Sequence, residues 1–204
     1  MKRVAESALV DLINYPDEER NLEFKQSTPW SNSRFRAKIT KSILGMANIR
    51  DGGTIVIGKA QQSDGTFETI GMSQDDFNSF NSDNMKDFVR DYADPFVTFA
   101  LKKRTINGRR FVLIEIEEFE AQPVICKRDW SDIMHRGKMY TRSRGGRPQT
   151  IEVPTQTEMR EIIIMAVEKE IRRFYERLSH VGIQVTPSRP EDQESFNHQR
   201  ADLT

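Results

Sequence analysis

Apolar and polar positions follow two different periods along the chain, and together they predict helices that alternate with short strands. Apolar residues at helical spacing, together with one aspartate-rich stretch, predict four helices, over residues 2–14, 33–50, 74–93 and 156–179. Period-2 or continuous apolar patterns predict strands over 22–26, 54–58, 96–106 and 109–118, with weaker strand patterns at 122–127 and 138–143. This mixture of elements excludes an all-helical chain.

The strands and helices predict an α+β fold with a mixed, mostly antiparallel sheet and packed helices. Asn107-Gly108 separates two strand patterns, and it favours a tight hairpin because both central residues of such a turn need positive φ. We expect the sheet to hold this hairpin, the strand with Glu23 and the strand with Ile55. The helices over 33–50 and 74–93 should pack on it.

The chain divides into four predicted regions. These are an N-terminal helix over 1–16, an α+β domain over 17–153, a C-terminal helix over 154–182 and a disordered tail over 183–204. The tail is assigned because it is polar, with two prolines and scattered charge. The apolar stripe of the long helix widens at Ile162–Ile164, so the helix either covers the sheet or pairs two copies of the chain.

Composition excludes several classes of protein. The 204 residues are 36% hydrophobic, and 31 basic residues balance 31 acidic ones, so only the distribution of charge bears on polyanion binding. Cys126 is the single cysteine, which excludes an intramolecular disulfide and a cysteine-rich zinc site. No apolar run approaches the roughly 18 residues that cross a bilayer. We therefore expect a cytoplasmic protein with no membrane partner.

Basic residues concentrate in two stretches, around the hairpin and after residue 127, and they predict contacts to phosphates. The candidates are Lys102, Lys103, Arg109, Arg110, Arg136, Lys138, Arg142, Arg144 and Arg147. Trp130 and Tyr140 lie among them and could stack on unpaired bases. Arg34, Lys38 and Lys41 form a further basic stripe on a predicted helix. The alternative is a set of solvated loops with scattered charge.

Three ordered motifs carry a resemblance to a known family. Glu18 to Lys25 reads EERNLEFK, Ala47-Asn48 precedes the glycine-rich strand Gly52–Gly58, and Met139–Arg142 ends a later strand. In this order and spacing the motifs resemble the Schlafen AlbA-like domain family, over about two-thirds of the chain, and the region 17–153 is identified with that domain. The resemblance implies a nucleic-acid-binding module.

Some animal members of that family cleave RNA at an acidic, metal-dependent site, and the resemblance places that site on this sequence. The first two acidic positions fall on Glu18 and Glu23, which would hold Mg²⁺ or Mn²⁺. The third falls on or near Gln61, whose uncharged side chain is a poor ligand for a hard divalent cation. Asp64 is the nearest carboxylate that could substitute.

The strand around Glu23 has its own chemistry. On a strand, Glu23 and Lys25 point to one face, where a carboxylate and an ammonium suit metal-assisted phosphodiester hydrolysis, with Glu18 adding a second carboxylate. The alternative is an exposed ion pair. Gly52-Gly53 follows a helix rather than preceding one, which favours a tight turn over a phosphate-binding loop.

Three functional hypotheses remain open. The chain is a nucleic-acid-binding protein that contacts phosphates through its basic loops, a divalent-metal-dependent ribonuclease that uses Glu18, Glu23 and Lys25, or a protein-interaction subunit of a larger regulatory or defence complex. A homodimer through residues 156–179 is a further expectation. The sequence does not separate DNA from RNA as the ligand.

Overall fold

The computed structural model describes residues 6–144 and 146–183, so the predicted tail lies almost wholly outside the described residues. The helices are α1 (Glu6–Asn14), α2 (Ser33–Ala47), α3 (Gln74–Ser79), α4 (Ser82–Arg90) and α5 (Gln156–His180). The strands are β1 (Leu22–Lys25), β2 (Gly53–Ile57), β3 (Lys59–Gln61), β4 (Phe67–Thr69), β5 (Ala93–Asp94), β6 (Phe99–Ile106), β7 (Arg109–Ile116), β8 (Ile125–Cys126), β9 (Tyr140–Arg142) and β10 (Thr150–Glu152).

A four-stranded mixed sheet in the order β1-β2-β7-β6 forms the centre of the fold. β1 runs parallel to β2, and the other two pairings are antiparallel. The register places Glu23 beside Ile55, and Ile55 beside Ile114. The predicted α+β class and the mostly antiparallel sheet are therefore confirmed, including the hairpin at Asn107-Gly108.

Helices cover both faces of this sheet. α2 contributes Ile39 and Ile43 to the larger core, where they join Ile55, Ile57 and Ile114 from one face. On the other face, the smaller core holds side chains of α1, β1, β2 and β7, namely Leu9, Ile13, Leu22, Phe24, Val56, Phe111 and Leu113. Because side chains alternate along β1, burial of Phe24 on the α1 face directs Glu23 and Lys25 to the α2 face.

The turn between α2 and β2 depends on glycine. Gly52 adopts φ +66°, and a Cβ there would lie 2.0 Å from the carbonyl oxygen of Ile116. At Gly53 a Cβ would lie 2.8 Å from the carbonyl oxygen of Asn21. The two glycines let the turn pack directly on neighbouring backbone, which accounts for them without a phosphate.

The prediction of a single helix over 74–93 is wrong, because the chain breaks it after Ser79. Phe80 is extended, with ψ 121°, and the side chain of Asn81 accepts hydrogen bonds from the backbone N–H groups of Asp83 and Asn84. That interaction begins a new helix, since an asparagine at this position satisfies N–H groups that have no partner within the helix. The hairpin of β3 and β4 was not predicted as strands.

The chain divides into two units, and the division falls within α5 between Ala166 and Val167. In the first unit, Ile162 and Met165 of α5 are buried in the core. In the second unit, the described residues continue α5 to His180, and the apolar side chains of Val167, Ile171 and Phe174 are half exposed. None of the helices in the described part of the chain is long and apolar enough to cross a membrane.

Candidate nucleic-acid interface

Glu23 is a buried carboxylate, only 4% exposed, on the α2 face of the edge strand β1. Oε1 pairs with Lys25 and accepts a hydrogen bond from Ser42 Oγ at 3.0 Å. Oε2 accepts one from Arg142 Nη1 at 3.0 Å. Burial alone would raise the pKa of Glu23, but Lys25, Arg142 and the Ser42 hydroxyl together hold it below its ordinary value. Glu23 is therefore a fully partnered anion and not the exposed ion pair considered as an alternative.

Glu18 lies close to Glu23 in a different environment. Its Oε1 accepts a hydrogen bond from the backbone N–H of Phe24 at 2.9 Å, and Arg147 Nε lies 3.9 Å from Oε2. Burial raises the pKa of Glu18 above its ordinary value, and the neighbouring Glu23 charge acts in the same direction, while the Phe24 hydrogen bond and Lys25 oppose the shift. The two carboxylates thus share one site but are held in different ways.

Glu18 and Glu23 line an open cleft of about 800 Å³. Its other walls come from α2, from the start of β3 and from the segment between β9 and β10. Basic side chains outnumber carboxylates in its lining by seven to three, and the basic ones are Lys25, Arg34, Lys38, Lys41, Lys59, Arg142 and Arg147. The third carboxylate is Asp132. The cleft therefore carries a net positive charge around its buried anion.

The basic stripe of α2, which consists of Arg34, Lys38 and Lys41, forms one wall of this cleft. Arg34, Lys38 and Lys41 lie on the side of the helix away from the core, because Ile39 and Ile43 occupy the buried side. Arg34 pairs with Asp132 at 3.1 Å, and both side chains are exposed. Lys41 lies over the ring of Tyr140 at 5.0 Å. Lys38 is exposed and makes no ion pair with any residue that the structure describes.

At the opposite wall, Lys59 and Arg147 donate hydrogen bonds to backbone carbonyl oxygens of the domain. Lys59 is almost fully buried, donates to the carbonyl oxygen of Tyr15 and lies 3.9 Å from the centre of the Phe24 ring. Burial lowers the pKa of Lys59. Arg147 donates to the carbonyl oxygen of Gly65 at 2.6 Å. These two side chains are held by the domain, whereas Lys38 is exposed and Lys41 is half buried, with its ammonium group over the Tyr140 ring.

The carboxylates do not fit a divalent cation as they stand. Both oxygens of Glu23 already face cations or a hydroxyl donor, and one oxygen of Glu18 is held by a backbone N–H. Gln61 lines the same cleft at the place where the resemblance puts the third acid. Asp64 is outside this lining and accepts hydrogen bonds from Thr66 within its turn. Across the described residues, no cluster of three or more His, Cys, Asp or Glu side chains could hold a metal.

The basic residues of the β6–β7 hairpin do not join this cleft. β6 and β1 are the two edges of the sheet, which places them about 14 Å apart at ordinary strand spacing. Lys102 pairs with Glu115 at 2.6 Å, and Lys103, on the opposite face, lies over the ring of Phe77. Arg109 is exposed and donates to the carbonyl oxygen of Thr69, and Arg110 follows it at the start of β7. The two basic stretches predicted to contact phosphates therefore do not form one surface beside Glu23.

The five candidate phosphate-binding residues after position 127 fall into three groups. Arg142 is only 1% exposed and donates to Glu23, so the prediction that it contacts phosphates is corrected to a structural role. Arg147 lines the cleft. The remaining three, Arg136, Lys138 and Arg144, are exposed outside the cleft; Lys138 pairs with Glu152 at 3.3 Å and Arg144 with Glu161 at 2.8 Å.

The two aromatic residues proposed for base stacking differ in burial. Tyr140 is fully buried, and its hydroxyl accepts a hydrogen bond from the backbone N–H of His135, so its ring cannot receive a base without unpacking the core. Trp130 makes edge contacts with the rings of Phe88 and Tyr92 and is partly exposed.

Sequence reasoning missed part of the cleft wall. Arg34, Lys38 and Lys41 were recognised as a basic stripe, but they were not assigned to a site. The available signal was their shared face, which lies opposite the apolar face of α2. No comparable pattern in the sequence indicated that Lys59 lines the cleft.

Comparison with known families identifies the class and then the family. The mixed sheet with helices on both faces defines an α+β domain, and the "Schlafen, AlbA_2" family model matches residues 18–151 of this domain. The chain therefore belongs to the Schlafen AlbA_2 family, as the three motifs had indicated. No curated protein matches the sequence.

Two solved structures resemble the chain distantly. The DIP2311 protein from Corynebacterium diphtheriae is 16% identical, with a TM-score of 0.45 over 70% of this chain and 23% of its own. The N-terminal domain of a RecG-related protein from Nitrosomonas europaea is 15% identical, with a TM-score of 0.42 over 75% of this chain and 93% of its own. This chain thus spans about a quarter of the length of the Corynebacterium protein.

Proposed function

We propose that this chain binds nucleic acid in the cleft between α2 and the β9–β10 segment, with phosphates contacted mainly by Lys38 and Lys41. The observation that supports the proposal is the excess of basic side chains over carboxylates in one open cleft. Membership of the Schlafen AlbA_2 family agrees with a nucleic-acid-related function. Arg34 and Arg147 line the same cleft and add to its positive charge.

Burial of Glu23 supports this proposal because its charge does not face the ligand. Lys25 and Arg142 neutralise the carboxylate from two sides, and Ser42 completes its hydrogen bonds. A phosphate that approaches the α2 wall therefore meets lysines rather than an unbalanced anion. The spacing of Arg34 and Lys41 along the helix spans about 10 Å, which is enough for more than one phosphate.

The test is a binding measurement with labelled tRNA and single-stranded DNA at several salt concentrations. We expect retention at low salt and a steep loss of affinity as salt rises, because bound cations are released from the nucleic acid when lysines replace them. The absence of binding to either nucleic acid at low salt would contradict the proposal. Comparison of the two ligands identifies which one is preferred.

The same experiment with Mn²⁺ separates binding from cleavage. The full partnering of Glu23 predicts that the labelled RNA stays intact over the incubation, with and without the metal. RNA cleavage that requires Mn²⁺ and disappears in Glu23→Ala would favour the ribonuclease hypothesis instead. Circular dichroism should then check that the Glu23→Ala variant is folded, since Glu23 also accepts a hydrogen bond from Arg142.

We further propose that the chain forms a homodimer through α5. The half-exposed apolar side chains of Val167, Ile171 and Phe174 support it, because a soluble helix seldom leaves such a stripe in water. A molecular mass that stays at the 23.7 kDa of one chain at all concentrations would contradict it.

A further inference from the structure

The apolar residues of α5 beyond Val167 follow a heptad spacing. Val167, Ile171, Phe174 and Leu178 are separated by four, three and four residues, so they form one continuous seam along the helix. The first three are half exposed, and Leu178 is partly so. On the opposite side, Arg172 and Glu176 are exposed and polar. This pattern is typical of a helix that packs against another helix along a narrow seam.

The charges beside the seam distinguish the two ways in which two copies can pair. Glu170 and Arg177 occupy equivalent positions in successive heptads on one flank of the seam. In a parallel pair, Glu170 would face Tyr175 of the second copy and gain no ion pair. In an antiparallel pair, the same flanks of both helices meet, so Glu170 of each copy lies beside Arg177 of the other.

We propose that two copies of this chain pair their α5 helices antiparallel, with Ile171 of one copy packed on Phe174 of the other. This inference rests on the homodimer proposed above and specifies its geometry. In this register Val167 packs on Leu178, so every seam residue from 167 to 178 meets an apolar partner. The two-fold axis repeats each contact, which gives four apolar layers and two Glu170–Arg177 pairs.

The ion pairs that Glu170 makes within one helix are weak enough to be exchanged. Glu170 lies 3.6 Å from Arg173 and 3.9 Å from Arg177, and these side chains are largely exposed. Such pairs contribute little in water. Arg177 can therefore turn to Glu170 of the second copy without a large loss, while Arg173 remains beside Glu170 of its own chain.

The first experiment measures mass by light scattering from about 1 to about 200 µM, a range that suits a short helix pair. We expect a concentration-dependent rise from 23.7 kDa toward twice that mass. Ile171→Glu should abolish the rise, because it places two charges in the central layers. Arg172→Glu is the matched control, since it introduces the same side chain one position away on the polar side, and it should leave association unchanged.

A charge exchange then tests the direction of the helices. Glu170→Arg should weaken association about tenfold, because it turns two attractive pairs into two repulsive ones. The double variant Glu170→Arg with Arg177→Glu should restore it. Circular dichroism checks that each variant keeps its helix.

The outcomes separate this inference from the homodimer itself. A wild-type chain that stays monomeric overturns both. A wild-type dimer whose association is the same in Glu170→Arg overturns the antiparallel arrangement alone. Loss of association in Glu170→Arg that the double variant does not recover also contradicts the proposed register, because the two residues would then not face each other.

Discussion

The two edges of the central sheet both carry basic residues, yet they present them in opposite ways. At the β1 edge, seven basic side chains from β1, α2, β3 and the β9–β10 region surround one open cleft. At the β6 edge, Lys102 and Lys103 point to opposite faces, where one pairs with Glu115 and the other covers the Phe77 ring. A basic cluster along the chain therefore becomes a continuous positive surface only where the fold directs its members to one side.

The β1 edge also combines two kinds of cation. Arg142 is buried and holds Glu23, whereas Lys38 is exposed and has no such partner among the described residues. The buried cations stabilise the domain, and the exposed ones are available to a ligand. This division leads to different expected effects for variants that look equivalent in the sequence.

The largest effect is expected from Arg142→Met. It leaves the buried Glu23 carboxylate without one of its two cations, so we expect the free energy of unfolding to fall by about 3 kcal/mol. Lys102→Met at the β6 edge, where the pair with Glu115 retains some solvent, should cost about 1 kcal/mol. Denaturant unfolding of both variants measures the difference. Equal losses would show that the two edges do not differ in burial as described.

The next effect concerns ligand binding. Lys38→Ala with Lys41→Ala should weaken binding to nucleic acid by about tenfold, which is about 1.4 kcal/mol, and should reduce the salt dependence by about two phosphate contacts. Arg109→Ala with Arg110→Ala, at the hairpin, should change affinity less than about twofold by comparison. Fluorescence anisotropy at two salt concentrations measures both.

A large effect of the hairpin variant would contradict the proposed position of the nucleic-acid interface. If the hairpin variant loses as much affinity as the α2 variant, the ligand reaches across both edges of the sheet, and the cleft alone is not the binding site.

The smallest effect concerns pH and tests whether the ionised Glu161 carboxylate stabilises the fold. Arg20 and Arg144 bind Glu161 and lower the pKa of this carboxyl to about 2. A lowered pKa stabilises the folded state above the ordinary value near 4.5, and that stabilisation disappears as pH falls toward about 2. Because the site retains solvent, we expect Glu161→Gln to cost about 1 kcal/mol at pH 7.

The difference between wild type and Glu161→Gln should then vanish near pH 2. Unfolding followed by circular dichroism at pH 7, 4 and 2 gives this profile. A difference that persists unchanged at the lowest pH would show that the negative charge of Glu161 is not what stabilises the fold.

Local patterns were sufficient for most of the fold. The alternation of Leu22 to Lys25 predicted both the strand and the face of each side chain, and Asn107-Gly108 predicted the hairpin. The prediction of one helix over 74–93 was wrong because nothing in the acidic stretch after Gln74 indicates a break, since its aspartates are compatible with a helix throughout. The break depends on one side chain, since Asn81 caps a new helix where the pattern continues.

The candidate site was only partly predictable, for a different reason. The resemblance placed Glu18, Glu23 and Gln61 in one site, and all three line the same cleft. The resemblance did not indicate that Arg142, 119 residues along the chain from Glu23, would donate a hydrogen bond to the Glu23 carboxylate. Partners so distant in sequence leave no periodic signal in a single chain.

The sequence by itself determined most of the elements, the α+β class and the family, because these follow from local periodicity and short ordered motifs. Tertiary structure alone decided which charges are buried and which are exposed. Whether a charged side chain is buried depends on the neighbours that exclude water from it. Arg142 and Lys38 differ in those neighbours rather than in their local sequence.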